Sequence, residues 1–221
     1  KRPDLAFAYL DRVYKILIMT AVTIAVITDR KSLNYLIWSI ALCVGFYGIK
    51  GGLFTIATGG SYRVWGPTGT MIGGNNEIAL ALITVVPLWI YLRTTVQSVW
   101  AKNMTLAAAL LCCAAIVGSQ SRGALLGIAA MGSVYWWRSG HKLASGIGVA
   151  AVAGAVLLVM PQKWFDRMET IGTYQADESA MMRINSWRFA LNLAADHPIV
   201  GGGFKVFSDS EMYKRYAPNP E

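Results

Sequence analysis

Three arginines stand where an anion could be gripped. Arg122 lies in Ser119-Gln120-Ser121-Arg122, a polar break in a stretch from Met104 to Trp137 that is otherwise nearly all apolar. Each arm of that stretch is about 15 residues, or roughly 22 Å of helix, short of a ~30 Å hydrocarbon core. The arm lengths predict that Arg122 sits below the membrane interface, facing protein or water. A charge held there costs at least ~2.5–3.5 kcal/mol unless paired, so it marks a site by default. The plainer alternative is a snorkelling anchor for the hairpin. Arg183 and Arg188 come next. At 100° per residue they lie about 140° apart, flanking an apolar stripe of Ile184, Trp187, Leu191 and Ala194. Such a pair could frame a phosphate or pyrophosphate, which Arg grips bidentately; otherwise they are the solvated edges of a surface helix.

Other groups offer less. His197 precedes Pro198 at a helix end, where a His commonly caps carbonyls and offsets the dipole. His141 lies in a turn between apolar runs. Asp166, Glu169, Asp177 and Glu178 are scattered, with no spacing that pairs an acid with a base. Cys43, Cys112 and Cys113 all sit inside apolar runs and read as small hydrophobes, with no metal spacing and no implied disulfide. GxSxG, HExxH, phosphate-loop and Rossmann patterns do not occur. No metal site and no cofactor is expected.

The elements that must position these residues are membrane helices. The chain is 55% hydrophobic and 14% charged over 221 residues, against roughly a quarter charged in a soluble domain. The charges form islands between six apolar runs, at 13–28, 32–49, 78–92, 104–118, 123–137 and 143–160. These predict an all-α, polytopic bundle of about six spans over residues 1–160, followed by a polar segment at 161–221 with a helix near 177–196. Lys15, near the start of the first run, could snorkel. The net charge of +8 comes from basic residues at the ends of apolar runs, which fits lipid phosphate and topology and not nucleic acid.

Orientation follows from the connectors. Arg30 and Lys31, then Arg93 to Lys102, then Arg138 to Lys142 fall on alternate turns, which the positive-inside rule makes cytoplasmic. The opposite side receives 50–77, 119–122 and everything after Pro161. Arg63, Arg122, Lys163, Arg167, Arg183, Arg188, Lys205, Lys214 and Arg215 land there too, against the topological preference. An anionic ligand would account for them. The 50–77 stretch holds too many glycines for a long helix and reads as an interfacial loop anchored by Tyr62 and Trp65. Its end, Gly73-Gly74-Asn75-Asn76-Glu77, predicts a helix start with Asn as N-cap. The chain opens Lys1-Arg2-Pro3-Asp4 with no signal-peptide pattern, so it is expected to be part of a longer protein.

Ordered motifs then carry a family resemblance. Ser119-Gln120-Ser121-Arg122-Gly123-Ala124-Leu125-Leu126-Gly127 resembles the SRGA signature of the O-antigen ligase and polymerase superfamily. Met182-Arg183-Ile184-Asn185-Ser186-Trp187-Arg188, with His197-Pro198-Ile199-Val200-Gly201-Gly202-Gly203-Phe204, is similar to its extracytoplasmic helix and glycine turn. Gly45-Phe46-Tyr47-Gly48-Ile49-Lys50-Gly51-Gly52, Tyr62-Arg63-Val64-Trp65-Gly66-Pro67 and Asn75-Asn76-Glu77 resemble the exosortase A-associated O-glycosylation ligase subgroup. The resemblance implies an integral-membrane, metal-independent glycosyltransferase of the bacterial inner membrane. It would move a glycan from an undecaprenyl-diphosphate carrier to a lipid or protein acceptor on the periplasmic side.

Carried over by motif, Arg122, Arg183 and Arg188 would hold the diphosphate, and Arg63, Asn75 and Asn76 are candidate substrate contacts. The family's catalytic His belongs to a motif expected beyond Glu221, and His197 does not match it. No catalytic residue is therefore expected within the chain, and this piece alone is expected to be inactive. Three other readings compete. A glycan polymerase differs only in its acceptor. A flippase or transporter of a lipid-linked anion would favour ionisable residues at mid-membrane, broken helices and related halves; here no repeat is evident and the arginines collect at one face. A non-catalytic scaffold would leave those arginines without a role.

Overall fold

The computed structural model describes residues 3–159, 162, 165, 178–199, 201–203 and 206–217. Lys163, Asp166, Arg167, Glu169, Asp177, Lys205 and the tail at 218–221 lie outside the described residues. Among those described the chain is all-α, with no strand. Its helices are α1 (Pro3–Val26), α2 (Arg30–Ala57), α3 (Asn75–Thr95), α4 (Val99–Gly118), α5 (Arg122–Arg138), α6 (Lys142–Val159), α7 (Glu178–Asp196) and α8 (Ser210–Tyr216), with a 3₁₀ turn at Val206–Ser208 before the last. Three of them, α2, α3 and α4, are long and apolar enough to cross a membrane. The chain divides into two compact units, Leu33–Glu169 and Lys1–Ser32 with Thr170–Glu221.

The first unit is organised by three seams of one period. On α3 the buried positions include Ile78, Leu82, Val85, Trp89 and Leu92, and on α2 they include Ala41, Gly45, Gly48, Gly52 and Thr55. Both sets alternate steps of four and three residues. That is the spacing that keeps one face of a helix against its neighbour at a shallow crossing angle. On α4, Thr105, Ala108, Cys112 and Ala115 repeat the pattern. Small residues dominate α2 and α4 because apolar lipid offers no hydrophobic drive for helices to associate, so close backbone approach must supply the packing. Trp38 meets Trp89 edge to face at 6.1 Å. Tyr91 donates to Asn34 Oδ1 at 2.8 Å, joining the start of α2 to the end of α3.

Two expectations change here. Residues 51–57 are helical, so the connector after α2 covers only 58–74. The Gly45-x-x-Gly48-x-x-Gly51-Gly52 run is a packing seam: a Cβ on Gly52 would run into the Leu111 carbonyl of α4, and one on Gly48 would meet Cys112 Sγ. Glycine breaks helices in water, but in a bilayer an unwound backbone has no water to bond, so the helix persists. The second change concerns length. α4 starts at Val99, five residues before its apolar run, and its 20 residues span about 30 Å. Arm length alone therefore does not draw Arg122 inward.

The second unit has its own small core. Phe189 and Leu193 of α7 are buried with Tyr216 of α8, and the Phe189 ring lies 4.6 Å from Phe207 and 5.8 Å from Tyr213. The Tyr216 hydroxyl donates to Asp196 Oδ2 at 2.8 Å, and that bond raises the phenol pKa above its ordinary value. On α1, Lys15 is paired with Asp11 one turn earlier.

Candidate functional site

The polar break between α4 and α5 is a tight turn in which each residue type has a task. Ser119 is the C-cap of α4, its N–H bonded to the Ala115 carbonyl at 2.8 Å. Gln120 follows with φ 53°, the left-handed region where a helix end usually has glycine. Ser121 is the N-cap of α5, and its hydroxyl accepts from the Ala124 N–H at 3.3 Å. Arg122 is then the first residue of α5 and is half-buried. Its guanidinium is thus rooted at the positive end of a helix, in a turn held by two buried serines.

The 58–74 loop is folded down onto this turn. Gly59 and Gly60 have φ of 57° and 71° and turn the chain out of α2. The Val64 N–H bonds to the Gly118 carbonyl at 2.9 Å, and the Val64 side chain is buried over Gly51. Gly66 closes the loop by bonding to the Gly73 carbonyl at 3.1 Å; a Cβ there would overlap the Ile72 carbonyl. Gln120 joins loop and turn. Its Nε2 donates to the Gly60 carbonyl at 3.0 Å, and its Oε1 accepts from Arg63 Nε at 3.4 Å. Arg63 and Arg122 are therefore brought to one turn.

Asn75 is also part of this cluster, in a different role from the one expected. Gly74 is the N-cap of α3 and makes no side-chain cap bond. The Glu77 carboxylate folds back over Gly74, into the space a Cβ would occupy. Asn75 Nδ2 is freed to donate to the Ser119 carbonyl at 3.0 Å, satisfying one of the orphan acceptors at the end of α4. Asn75→Asp turns that donor into an acceptor facing a carbonyl. It is expected to lower the thermal midpoint in detergent, at a cost of about 1–3 kcal/mol. Asn75→Ala should cost less than Asn75→Asp; the reverse order would show that the bond is not holding the turn. Asn76 is exposed on the first turn of α3, and Tyr62 and Trp65 are exposed on the loop.

Arg183 and Arg188 lie on α7, in the other unit, and both are exposed. Most of the apolar stripe faces outward: Trp187 is 67% and Leu191 69% exposed and Ile184 is half-buried, while Phe189 is 0% and Leu193 5% exposed. The buried face is set by the aromatics of the 3₁₀ turn and α8, which lie too far along the chain for a helical period to reveal. His197 is exposed and ends α7, its N–H bonded to the Leu193 carbonyl at 2.9 Å.

Residue type points to the arginines but not to Gln120, Val64 or Gly118, which tie Arg63 and its loop to the turn. The one available signal was position. A non-glycine in a four-residue break between two apolar runs must take the turn conformation and needs a compensating bond.

Comparison with known families bears on both halves of the chain. The O-antigen ligase family model matches residues 106–221, from within α4 through α8. A family of unknown function (DUF5935) matches residues 1–97. No curated protein and no solved structure matches the chain.

Proposed function

The chain belongs to the O-antigen ligase family, matched over residues 106–221, and on that premise we propose that it is the diphosphate-binding part of a membrane glycan ligase. The enzyme transfers a glycan from an undecaprenyl-diphosphate carrier to a lipid or protein acceptor. In this reading Arg122, Arg183 and Arg188 hold the diphosphate and neutralise the charge that develops as it leaves. In a metal-independent enzyme that charge falls to the arginines. The work takes place at the periplasmic face of the bacterial inner membrane, in the exosortase A-associated subgroup. The observation that carries the proposal is the turn at the end of α4, where Gln120 and the Val64–Gly118 bond bring Arg63 to the Arg122 turn. A leaving diphosphate is the anion that such an arrangement suits.

The test is glycan transfer by the intact protein in proteoliposomes, with a polyprenyl-diphosphate-linked glycan as donor. Transfer to a separate acceptor is the expected result. Growth of the donor glycan on its own carrier would make the enzyme a polymerase, and movement of the donor between leaflets without transfer would make it a transporter. Reporter fusions at Lys102 and Tyr174 test the sidedness: Lys102 is expected in the cytoplasm and Tyr174 in the periplasm. A cytoplasmic Tyr174 would remove the arginines from the face where the reaction is proposed.

A further inference from the structure

We infer that Gln120 is a positioning residue, which holds Arg63 so that its guanidinium and that of Arg122 act on one anion. This rests on the diphosphate reading above and adds Arg63 to it.

The backbone is the first observation. Among the described residues Gln120 is the one non-glycine with positive φ, at 53°. For a residue with a Cβ this conformation is strained. Glycine would adopt it freely, so the side chain at this position must contribute something that glycine would lose.

What it contributes is a bond at each end of its amide. Nε2 donates to the Gly60 carbonyl and Oε1 accepts from Arg63 Nε. The assignment is forced by the partners, since a flipped amide would set oxygen against the carbonyl and N–H against N–H. Arg63 is thereby held through Nε alone. Among the described residues its guanidinium makes no other hydrogen bond, which leaves the two terminal nitrogens as a fork. That end-on pair is the geometry with which Arg takes two oxygens of a phosphate at once. The neighbouring Val64 N–H, bonded to Gly118, fixes the backbone beside it. Arg63 is therefore secured to the turn at its backbone and at its side chain, with its anion-binding edge left over.

A double-mutant cycle on the intact protein separates this from simple support of the loop. Gln120→Gly removes both amide bonds while relieving the positive φ, so the fold is not penalised by the backbone. Transfer rates at varied donor concentration would be measured for Gln120→Gly, Arg63→Ala and the double variant, with thermal midpoints in detergent alongside. Each single change is expected to raise KM for the lipid-linked donor about tenfold, a loss typical of one charge-assisted contact. The double variant should be no worse than Arg63→Ala, because Gln120 acts through Arg63. Multiplying effects, or an unchanged KM in Gln120→Gly, would overturn the inference, and a lower midpoint with unchanged KM would reduce Gln120 to a loop clamp. Arg122→Ala separates the two claims. If it abolishes transfer while Gln120→Gly is normal, this inference alone fails; if it and Arg188→Ala both transfer normally, the diphosphate reading fails and takes this one with it.

Discussion

Arg122→Ala is expected to abolish glycan transfer, lowering kcat by about a hundredfold or more, while the protein inserts and accumulates normally. The size follows from where the charge stands. Arg122 is the first residue of α5, so its positive group adds to the positive end of the helix. The serines on either side of Gln120 fix the turn before any ligand arrives. A donor that is already aimed at developing charge acts without reorganising, and removing one such group commonly costs about 10²–10³ in rate. Arg122→Lys keeps the charge but loses the planar fork, so it should fall between the two. Insertion should survive because α4 keeps its apolar length and the caps at Ser119 and Ser121 are untouched. Transfer per unit of membrane-extracted protein is the measurement. Arg188→Ala, on the exposed edge of α7, is expected to abolish transfer as well, and normal rates in both variants would remove the diphosphate assignment.

The contrast between what the residues announced and what the fold added is physical. Apolar runs separated by charged islands specify membrane helices through composition alone, so the all-α architecture and the Arg122 break were legible. Tertiary partners were not. Gly51-Gly52 looked like a loop because helix propensity is calibrated in water, while in the bundle the same residues let α2 lie against the Leu111 carbonyl. Asn75 looked like an N-cap because its type and place fit one; Gly74 takes that position, and the amide bonds to Ser119, 44 residues away. Trp187 and Leu191 made a clean stripe, yet Phe189 and Leu193 face the core because α8 supplies their partners. In the site the same division holds. Charge marked Arg63 and Arg122, and only the folded loop joined them.

Gly52→Ala is expected to destabilise the bundle, although two general effects argue the other way. Alanine is a better helix former than glycine by roughly 0.5–1 kcal/mol, and an added methyl is welcome among apolar neighbours. Packing opposes both. At Gly52 the new Cβ would overlap a backbone carbonyl, that of Leu111. A flexible side chain could swing aside, but a carbonyl inside α4 can move only with its helix. Forcing the helices apart costs about 1–3 kcal/mol in overpacking strain, and it would also loosen the neighbouring contact between Gly118 and Thr55. Strain outweighs propensity, so the midpoint in detergent should fall, and Gly52→Leu should prevent assembly of α2 on α4. Gly148→Ala is the matched control: it lies within α6, and a Cβ there meets nothing within 4 Å. Only the propensity gain applies, so its midpoint should hold or rise. If both alanines shifted the midpoint in the same direction, helix propensity and not the α2–α4 seam would set the stability of this bundle.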